Sequence, residues 1–275
     1  MSYLTLRDGR KLFYEKTGCG NPVIFLHGWK SSSDVFQVTT ESLSSKYCCI
    51  RYDHCGHVRS DVPDQMPVME TLADDLSEII MQMKLPSPVL VGWSMGGATI
   101  LEFLRKYGCS NIGKIVLVDI TPRMFNDESW KNGRMQGKYT KSDLSAELLA
   151  MKNDFCSYMV NYYKSIRPDF AEISMEEGLK YAKSRLVGQN SSVLISLWNS
   201  LAQSDWRDVL ENITVPTAVF HAGVLPICMP STAKYYREHI KGPVKIVEFT
   251  GATHGLISEC PEKCVDELDK FLSEK

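Results

Sequence analysis

Residues 88–97 read PVLVGWSMGG, and this stretch contains the pattern that decides the fold. Its first part, PVLVGWS at 88–94, is short, apolar and rich in valine, which is typical of a buried strand in a parallel sheet. The run that follows, MGGATILEFLRKYG at 95–108, predicts a helix that ends at Gly108. A sharp turn at Ser94 therefore joins a buried strand to a helix.

Two glycines flank Ser94 in the order Gly92-Trp93-Ser94-Met95-Gly96, which is a G-x-S-x-G pattern. A strand-to-helix turn of this kind holds its central residue in a strained backbone conformation, and larger side chains at the glycine positions would clash. The turn also projects the serine hydroxyl above the sheet, at the positive end of the helix dipole. A chance match would lack the strand before the serine and the helix after it. The context therefore predicts that Ser94 is a nucleophile.

Strands and helices alternate on both sides of this turn. Before it, the sequence predicts a hairpin around Asp8-Gly9, buried strands at 22–29 and 47–53, and an amphipathic helix over 68–84. After it, the sequence predicts strands at 114–120, 215–222 and 244–250, a helix over 231–240 and a closing helix from Pro261. This alternation predicts an α/β fold, in which a mostly parallel sheet has helices on both faces.

The alternation stops over residues 122–205, where helical patterns occur without a convincing buried strand. One such pattern covers 142–163, with Ser142 or Asp143 as its N-cap, and another covers 174–186. Ligands bind at the carboxyl ends of the strands in open α/β sheets, so we expect this segment to be a helical lid over that edge. The predicted core domain is then 1–121 with 206–275, and the lid is inserted after the sixth strand.

A serine hydroxyl needs a base, and His254 is the best candidate in the chain. It lies in Gly251-Ala252-Thr253-His254-Gly255, a glycine-containing loop directly after the last predicted strand, at the same sheet edge as the serine. The alternative is a loop histidine without a role. The other histidines that we weighed lie after an earlier strand, at the end of a later strand or on a charged helix: His54, His57, His221 and His239.

The sequence His27-Gly28-Trp29 ends the first buried strand. A backbone N–H at this point, together with the N–H of the residue after the nucleophile, is suited to hold a tetrahedral oxyanion. That assigns the two donors to Trp29 and Met95. The alternative is that His-Gly only allows a tight exit from the strand.

Composition excludes several classes of protein. The chain has 275 residues, 31 basic and 33 acidic, for a net charge of −2, which argues against a nucleic-acid partner. No run approaches the ~20 apolar residues that span a bilayer, and the charged first 18 residues are unlike a signal peptide. The nine cysteines, an odd number, favour free thiols in the cytoplasm.

No cofactor or metal site is expected. The sequence contains no phosphate-binding loop and no dinucleotide fingerprint. Cys260 and Cys264 are four residues apart with His254 nearby, which is one geometry for metal ligands on a helix face. No C-x-x-C pair supports this, so two ordinary helix cysteines are the favoured interpretation.

Five stretches together resemble the α/β-hydrolase superfamily in its lidded, esterase-like branch. They are HGW at 27–29, DHCGHVRSD at 53–61, GWSMGG at 92–97, VDITPR at 118–123 and GATHG at 251–255. The resemblance implies an eight-stranded sheet, a serine hydrolase mechanism and an acyl-enzyme intermediate. The chain also resembles the bacterial esterases and perhydrolases once called non-haem haloperoxidases.

Three positions depart from the family pattern. Val58 stands where a glycine is usual, Ala222 follows His221 where a glycine is more usual, and Leu225 stands where the triad acid is expected after the seventh strand. No acidic residue occurs from 214 to 237, so the acid must come from elsewhere or be missing.

Asp119, at the end of the sixth strand, is the best candidate for the acid, since some family members take it from this position. The order Ser94, Asp119, His254 keeps the superfamily's serine–acid–histidine order. The alternative is an aspartate that only pins the entry to the lid through Thr121 and Arg123. Two other acids lie before the seventh strand and are better explained as helix caps: Asp205 and Asp208.

Three functions remain open on this basis. The first is a carboxylic-ester hydrolase acting on a small-molecule ester, with a small to medium apolar acyl group suggested by the many aromatic and methionine side chains of the lid. The second is a serine hydrolase of an amide, lactone, carbon–carbon bond or peracid. The third, supported only by the missing acid after the seventh strand, is a slow-turnover ligand receptor on the same fold. Oligomeric state is left open.

Overall fold

The computed structural model describes residues 2–274 and contains one eight-stranded sheet, as expected. The strands are β1 (Ser2–Thr5), β2 (Lys11–Thr17), β3 (Asn21–Leu26), β4 (Tyr47–Tyr52), β5 (Val89–Trp93), β6 (Lys114–Val118), β7 (Thr217–Ala222) and β8 (Val244–Phe249). Their order across the sheet is β1-β2-β4-β3-β5-β6-β7-β8. The β1–β2 and β2–β4 pairs are antiparallel and every other pair is parallel, so the α/β fold prediction is confirmed.

Helices cover both faces of the sheet. Those of the first half are α1 (Gln37–Leu43), α2 (Met69–Gln82) and α3 (Met95–Tyr107). Those between β6 and β7 are α4 (Arg134–Gly137), α5 (Lys141–Asn153), α6 (Phe155–Ile166), α7 (Met175–Arg185) and α8 (Ser191–Gln203). The last three are α9 (Pro230–His239), α10 (Leu256–Glu259) and α11 (Pro261–Ser273). Across residues 2–274, no helix combines the length and the apolar character needed to cross a membrane.

The central strands are buried on both faces, which explains their uninterrupted apolar sequences. Side chains alternate along β3, so Ile24 and Leu26 enter one hydrophobic cluster and Val23 and Phe25 enter the other. All four are fully buried. The two clusters fix the register of the sheet, because a slip by one residue would exchange the faces of every side chain. The carboxyl ends of β5 and β6 are thereby held next to each other.

The segment between β6 and β7 is helical, but its first predicted helix is wrong in two details. The pattern over 142–163 forms two helices, because Asp154 caps a new helix by accepting a hydrogen bond from the Ser157 N–H at 3.1 Å. The first helix also begins earlier than predicted. Its cap is Thr140, which forms a reciprocal capping box with Asp143, instead of Ser142 or Asp143.

Both ends of this helical segment meet at the sheet. Arg123 and Asp205 form an isolated antiparallel bridge, and the Trp206 N–H donates to the Pro122 carbonyl at 2.9 Å. Within the segment, Glu147 accepts hydrogen bonds from a group of polar side chains: Arg134, Tyr139, Tyr158 and Trp198. The helices are therefore tied to one another around a single carboxylate.

Three buried histidines pack together behind the proposed oxyanion loop. The ring centroid of His27 lies 4.5 Å from that of His54 and 5.0 Å from that of His57, and none of the three is exposed to solvent. Burial lowers the pKa of all three, that of His57 to about 3. These imidazoles therefore stay neutral in the folded protein.

We expect this cluster to make the protein sensitive to mild acid. Below about pH 6.5 these histidines bind protons in the unfolded chain but not in the folded protein. The free energy of unfolding therefore decreases as the pH falls. Each histidine contributes up to about 1.4 kcal/mol per pH unit. Urea unfolding between pH 7.5 and 5 measures how the free energy of unfolding changes with pH. His57→Gln should reduce this slope by the amount that corresponds to about one bound proton. A stability that does not change over this range would contradict the expectation.

Candidate active site

The turn after β5 holds Ser94 in the strained conformation that the sequence predicts. Ser94 has φ 54° and ψ −120°, and its N–H donates to the Val118 carbonyl at 2.8 Å. A Cβ on Gly92 would lie 2.5 Å from the backbone of Gly96, and a Cβ on Gly96 would overlap the Leu26 carbonyl. Both glycines are therefore required for the helix to begin this close to the strand.

His254 lies between Ser94 and Asp119. Its Nε2 is 3.0 Å from the Ser94 Oγ, and its Nδ1 is 2.6 Å from the Asp119 Oδ2. With the proton on Nδ1, the ring donates to the carboxylate and leaves Nε2 free to accept the serine hydroxyl. The structure thus brings together the three residues that the sequence analysis selected.

Asp119 is fully buried and is held by backbone donors as well as by the histidine. Its carboxylate accepts hydrogen bonds from the N–H groups of Ala222, Ile227 and Cys228 at 3.1–3.3 Å. These donors belong to the end of β7 and the loop that follows it. The loop that usually supplies the acid therefore supplies N–H groups that hold an acid from β6.

Leu225 occupies the position where the triad acid is usual, so the loop after β7 contributes no carboxylate to the site. Its side chain is 41% exposed and its φ is 45°. The neighbouring Val224 N–H donates to the Ala252 carbonyl at 2.9 Å. This contact fixes the loop after β7 against residues 251–255, which carry His254 and are called the histidine loop below.

Two residues that the sequence analysis did not select hold the histidine loop in place. The Trp93 Nε1–H donates to the His254 carbonyl at 2.9 Å, and the two rings lie 5.4 Å apart. The Glu259 carboxylate accepts from the Thr253 N–H at 2.7 Å and from the Thr253 hydroxyl. Trp93 could have been noticed in the sequence because it lies in the G-x-S-x-G turn next to Ser94. No local pattern marks Glu259.

The two proposed oxyanion donors both lie near the serine. Met95 is the first residue of α3, and Trp29 follows Gly28, where a Cβ would lie 3.1 Å from the Ser94 Cβ. Neither N–H donates to a backbone carbonyl within residues 2–274. The Trp29 side chain is fixed by donation from Nε1 to the Leu194 carbonyl at 2.8 Å. The placement of these groups fits an oxyanion pocket.

A cavity of about 430 Å³ opens directly above Ser94 and His254. Of the aromatic side chains predicted for the lid, Tyr162 and Tyr163 line it, while others such as Trp198 are buried in the core. Three basic residues also line the cavity: Lys30, Arg167 and Arg185. The sequence analysis missed them, because they are far apart in the chain and share no spacing pattern.

The structure gives no support to a metal site at Cys260, Cys264 and His254. No group of three or more His, Cys, Asp and Glu side chains within residues 2–274 is arranged to hold a metal ion. Cys264 is buried, with its Sγ 3.6 Å from the Leu256 carbonyl. This thiol is therefore engaged within the helical packing.

Comparison with known proteins agrees with the fold. Residues 21–257 match the family model described as the alpha/beta hydrolase fold. The AB hydrolase superfamily protein YisY of Bacillus subtilis is 27% identical over 271 residues, with 98% of each chain covered. A bifunctional esterase/perhydrolase of Acinetobacter calcoaceticus is 26% identical, with 99% of each chain covered.

Among solved structures, an esterase from Exiguobacterium antarcticum superposes with a TM-score of 0.86 at 27% identity. That alignment covers 99% of both chains. The family match extends over most of the chain and includes the elbow, Asp119 and the histidine loop. This protein belongs to the alpha/beta hydrolase fold family.

Proposed function

We propose that this protein is a serine hydrolase that cleaves carboxylic esters through an acyl-enzyme intermediate. The observation that carries the proposal is the continuous chain of contacts from Ser94 to His254 to Asp119, at 3.0 Å and 2.6 Å. Such a chain activates a hydroxyl that is otherwise a weak nucleophile. The esterase relatives support the same class of reaction.

Each group has a defined task in this reaction. His254 takes the hydroxyl proton of Ser94 on Nε2 while Oγ bonds to the ester carbonyl carbon, and the carbonyl electrons move onto oxygen. The N–H groups of Trp29 and Met95 stabilise that oxyanion. When it collapses, the alcohol leaves with the proton from His254. Water then repeats the steps on the acyl-enzyme, and Asp119 remains ionised throughout.

Residues 122–205 serve as the lid in this proposal, and residues 1–121 and 206–275 as the core. Support comes from α6 and α7, which supply side chains to the wall of the cavity above Ser94. The bridge between Arg123 and Asp205 closes the base of the segment. A lid of this kind excludes water from the reacting groups and selects the substrate. The nine free cysteines support a reducing, cytoplasmic location.

The alternative function, a slow-turnover ligand receptor on the same fold, loses its main support. It depended on the absence of an acid after the seventh strand, and Asp119 supplies a carboxylate at hydrogen-bond distance from His254. Among other acyl acceptors, hydrogen peroxide is favoured by one observation, the similarity to a bifunctional esterase/perhydrolase. In that reaction peroxide replaces water in attacking the acyl-enzyme and yields a peracid.

Hydrolysis of p-nitrophenyl esters of increasing chain length tests the proposed function. We expect release of p-nitrophenol without added metal, and no change in rate after treatment with a chelator, because every group in the proposed mechanism belongs to the chain. Activity that chelation abolishes and metal restores would contradict the proposal. So would the absence of hydrolysis across the whole ester series.

A further inference from the structure

The cavity above Ser94 carries an excess of positive charge on one wall, formed by Lys30, Arg167 and Arg185. Arg167 is neutralised by Asp169, to which its Nε and Nη2 donate at 3.1 Å and 2.5 Å. Lys30 and Arg185 form no ion pair with any carboxylate among residues 2–274. Two basic side chains therefore line the cavity without an ion-pair partner.

One acidic residue in the cavity lining offsets this positive charge only in part. Glu259 lines the same cavity, but its carboxylate is engaged by the N–H and hydroxyl of Thr253 in the histidine loop. These neutral donors do not cancel its negative charge, which stands against three basic side chains in the same lining. The net charge available to a ligand in this cavity is positive.

Lys30 is held in place without an acidic partner. Its Nζ donates to the Tyr163 hydroxyl at 2.9 Å and lies 4.4 Å from the centre of that ring. Burial, followed by the charges of Arg185 and Arg167, lowers the pKa of Lys30 to about 7. An ammonium that loses part of its hydration in this setting costs folding free energy, which an anionic ligand would offset.

The surrounding contacts give this wall a defined geometry. The Arg167 Nη1 donates to the Tyr181 hydroxyl at 2.9 Å, and the rings of Tyr181 and Tyr163 meet edge to face with centroids 5.1 Å apart. The Gln189 Nε2 donates to the Lys30 carbonyl at 3.3 Å. That contact ties the chain just after α7, which carries Arg185, to the loop that carries the proposed oxyanion donor.

We propose that this wall is a subsite for a carboxylate carried by the substrate. The preferred ester then has a free carboxylate on its acyl or alcohol part, a few bonds from the carbonyl that Ser94 attacks. The inference rests on the proposed function, and it replaces the wholly apolar acyl group that the sequence suggests. Charge-assisted hydrogen bonds in a partly desolvated cavity supply both affinity and orientation.

Binding to the Ser94→Ala variant tests the subsite independently of catalysis. Calorimetric titration should show that monomethyl adipate binds at least about tenfold more tightly than methyl heptanoate, a neutral ester of similar length. Arg185→Gln in the same background should remove most of this difference. Lys183→Gln is the matched control, because it removes one charge from an exposed position of the same helix outside the cavity.

Kinetic measurements on the enzyme that retains Ser94 separate this inference from the proposed function. Arg185→Gln and Lys30→Gln should each lower kcat/KM for monomethyl adipate by about 10- to 100-fold more than they lower kcat/KM for methyl heptanoate. 4-Acetoxybutanoate against butyl acetate tests the same preference with the carboxylate on the alcohol side, and a preference for the charged ester in either pair supports the subsite.

Three results would overturn the subsite. One is the absence of a preference for the charged ester in both pairs, and another is an equal loss for the charged and neutral esters in the variants. The third is inorganic phosphate displacing monomethyl adipate more effectively than glutarate does, since the assignment is to a carboxylate. If neutral esters are hydrolysed through Ser94 in those cases, the proposed function stands without the subsite. If the charged ester binds but no ester is hydrolysed, the proposed function fails and the subsite stands.

Discussion

Ser94→Ala is expected to lower turnover of a p-nitrophenyl ester by about 10⁴- to 10⁶-fold while the protein remains folded. The substitution removes the atom that bonds to the substrate, and His254 has no second hydroxyl to activate in the described contacts of its Nε2. Alanine accepts the turn about as well as serine does, because both have a Cβ at the same φ of 54°. Steady-state rates together with the thermal unfolding midpoint measure the two parts of the expectation.

A serine far from the site provides the control for that variant. Ser42 is exposed on α1, and its hydroxyl donates only to the Val38 carbonyl of its own helix. Ser42→Ala should therefore keep full activity. Unchanged turnover in Ser94→Ala would remove the proposed nucleophile from the account.

Asp119→Asn is expected to reduce turnover by about 10⁴-fold. The amide can donate to Nδ1, which favours the tautomer that carries its proton on Nε2 and cannot accept from the serine. It also lacks the charge that stabilises the imidazolium formed during attack. The amide oxygen can take the place of Oδ1 and accept from the Ala222 and Cys228 N–H groups, but the amide nitrogen then faces the Ile227 N–H, so we expect the variant to fold with reduced stability.

Asp208→Asn is the matched control, because Asp208 is the alternative acid that lies before β7. Its side chain is 74% exposed and pairs with Arg105 on the surface, so its loss should leave turnover unchanged. Leu225→Asp in the Asp119→Asn background should restore part of the lost activity, since the loop at 223–225 is already hydrogen-bonded to the histidine loop. Normal turnover in Asp119→Asn would mean that the enzyme works as a dyad or with another acid.

The elements next to Ser94 were predictable because their signals are local. The turn needs Gly92 and Gly96 on either side of the serine, and no long-range contact is required to recognise that need. The start of α5 was equally local, since Thr140 and Asp143 have the spacing of a capping box. Ser142 is a competing cap residue closer to the apolar run, which is why the prediction placed the start of the helix too late.

Asp119 was predictable from its position at the end of the sixth strand together with the family resemblance, but its environment could not be read from the sequence. The carboxylate is held by backbone N–H groups of residues 222, 227 and 228, whose directions depend on the conformation of the loop. The basic wall of the cavity was hidden for a related reason. Lys30 lies in the loop after β3 and Arg185 at the end of α7, and only the folded chain brings both to one cavity.

The rate and site of labelling by a fluorophosphonate test the central claim most directly. The reagent phosphonylates a serine only when a base activates it, and mass spectrometry of the digested protein identifies the modified residue. The account predicts one adduct, on Ser94, and a labelling rate that falls by about 10³- to 10⁴-fold in Asp119→Asn. An adduct on another residue, or equal labelling of Asp119→Asn and the unmodified protein, would contradict it.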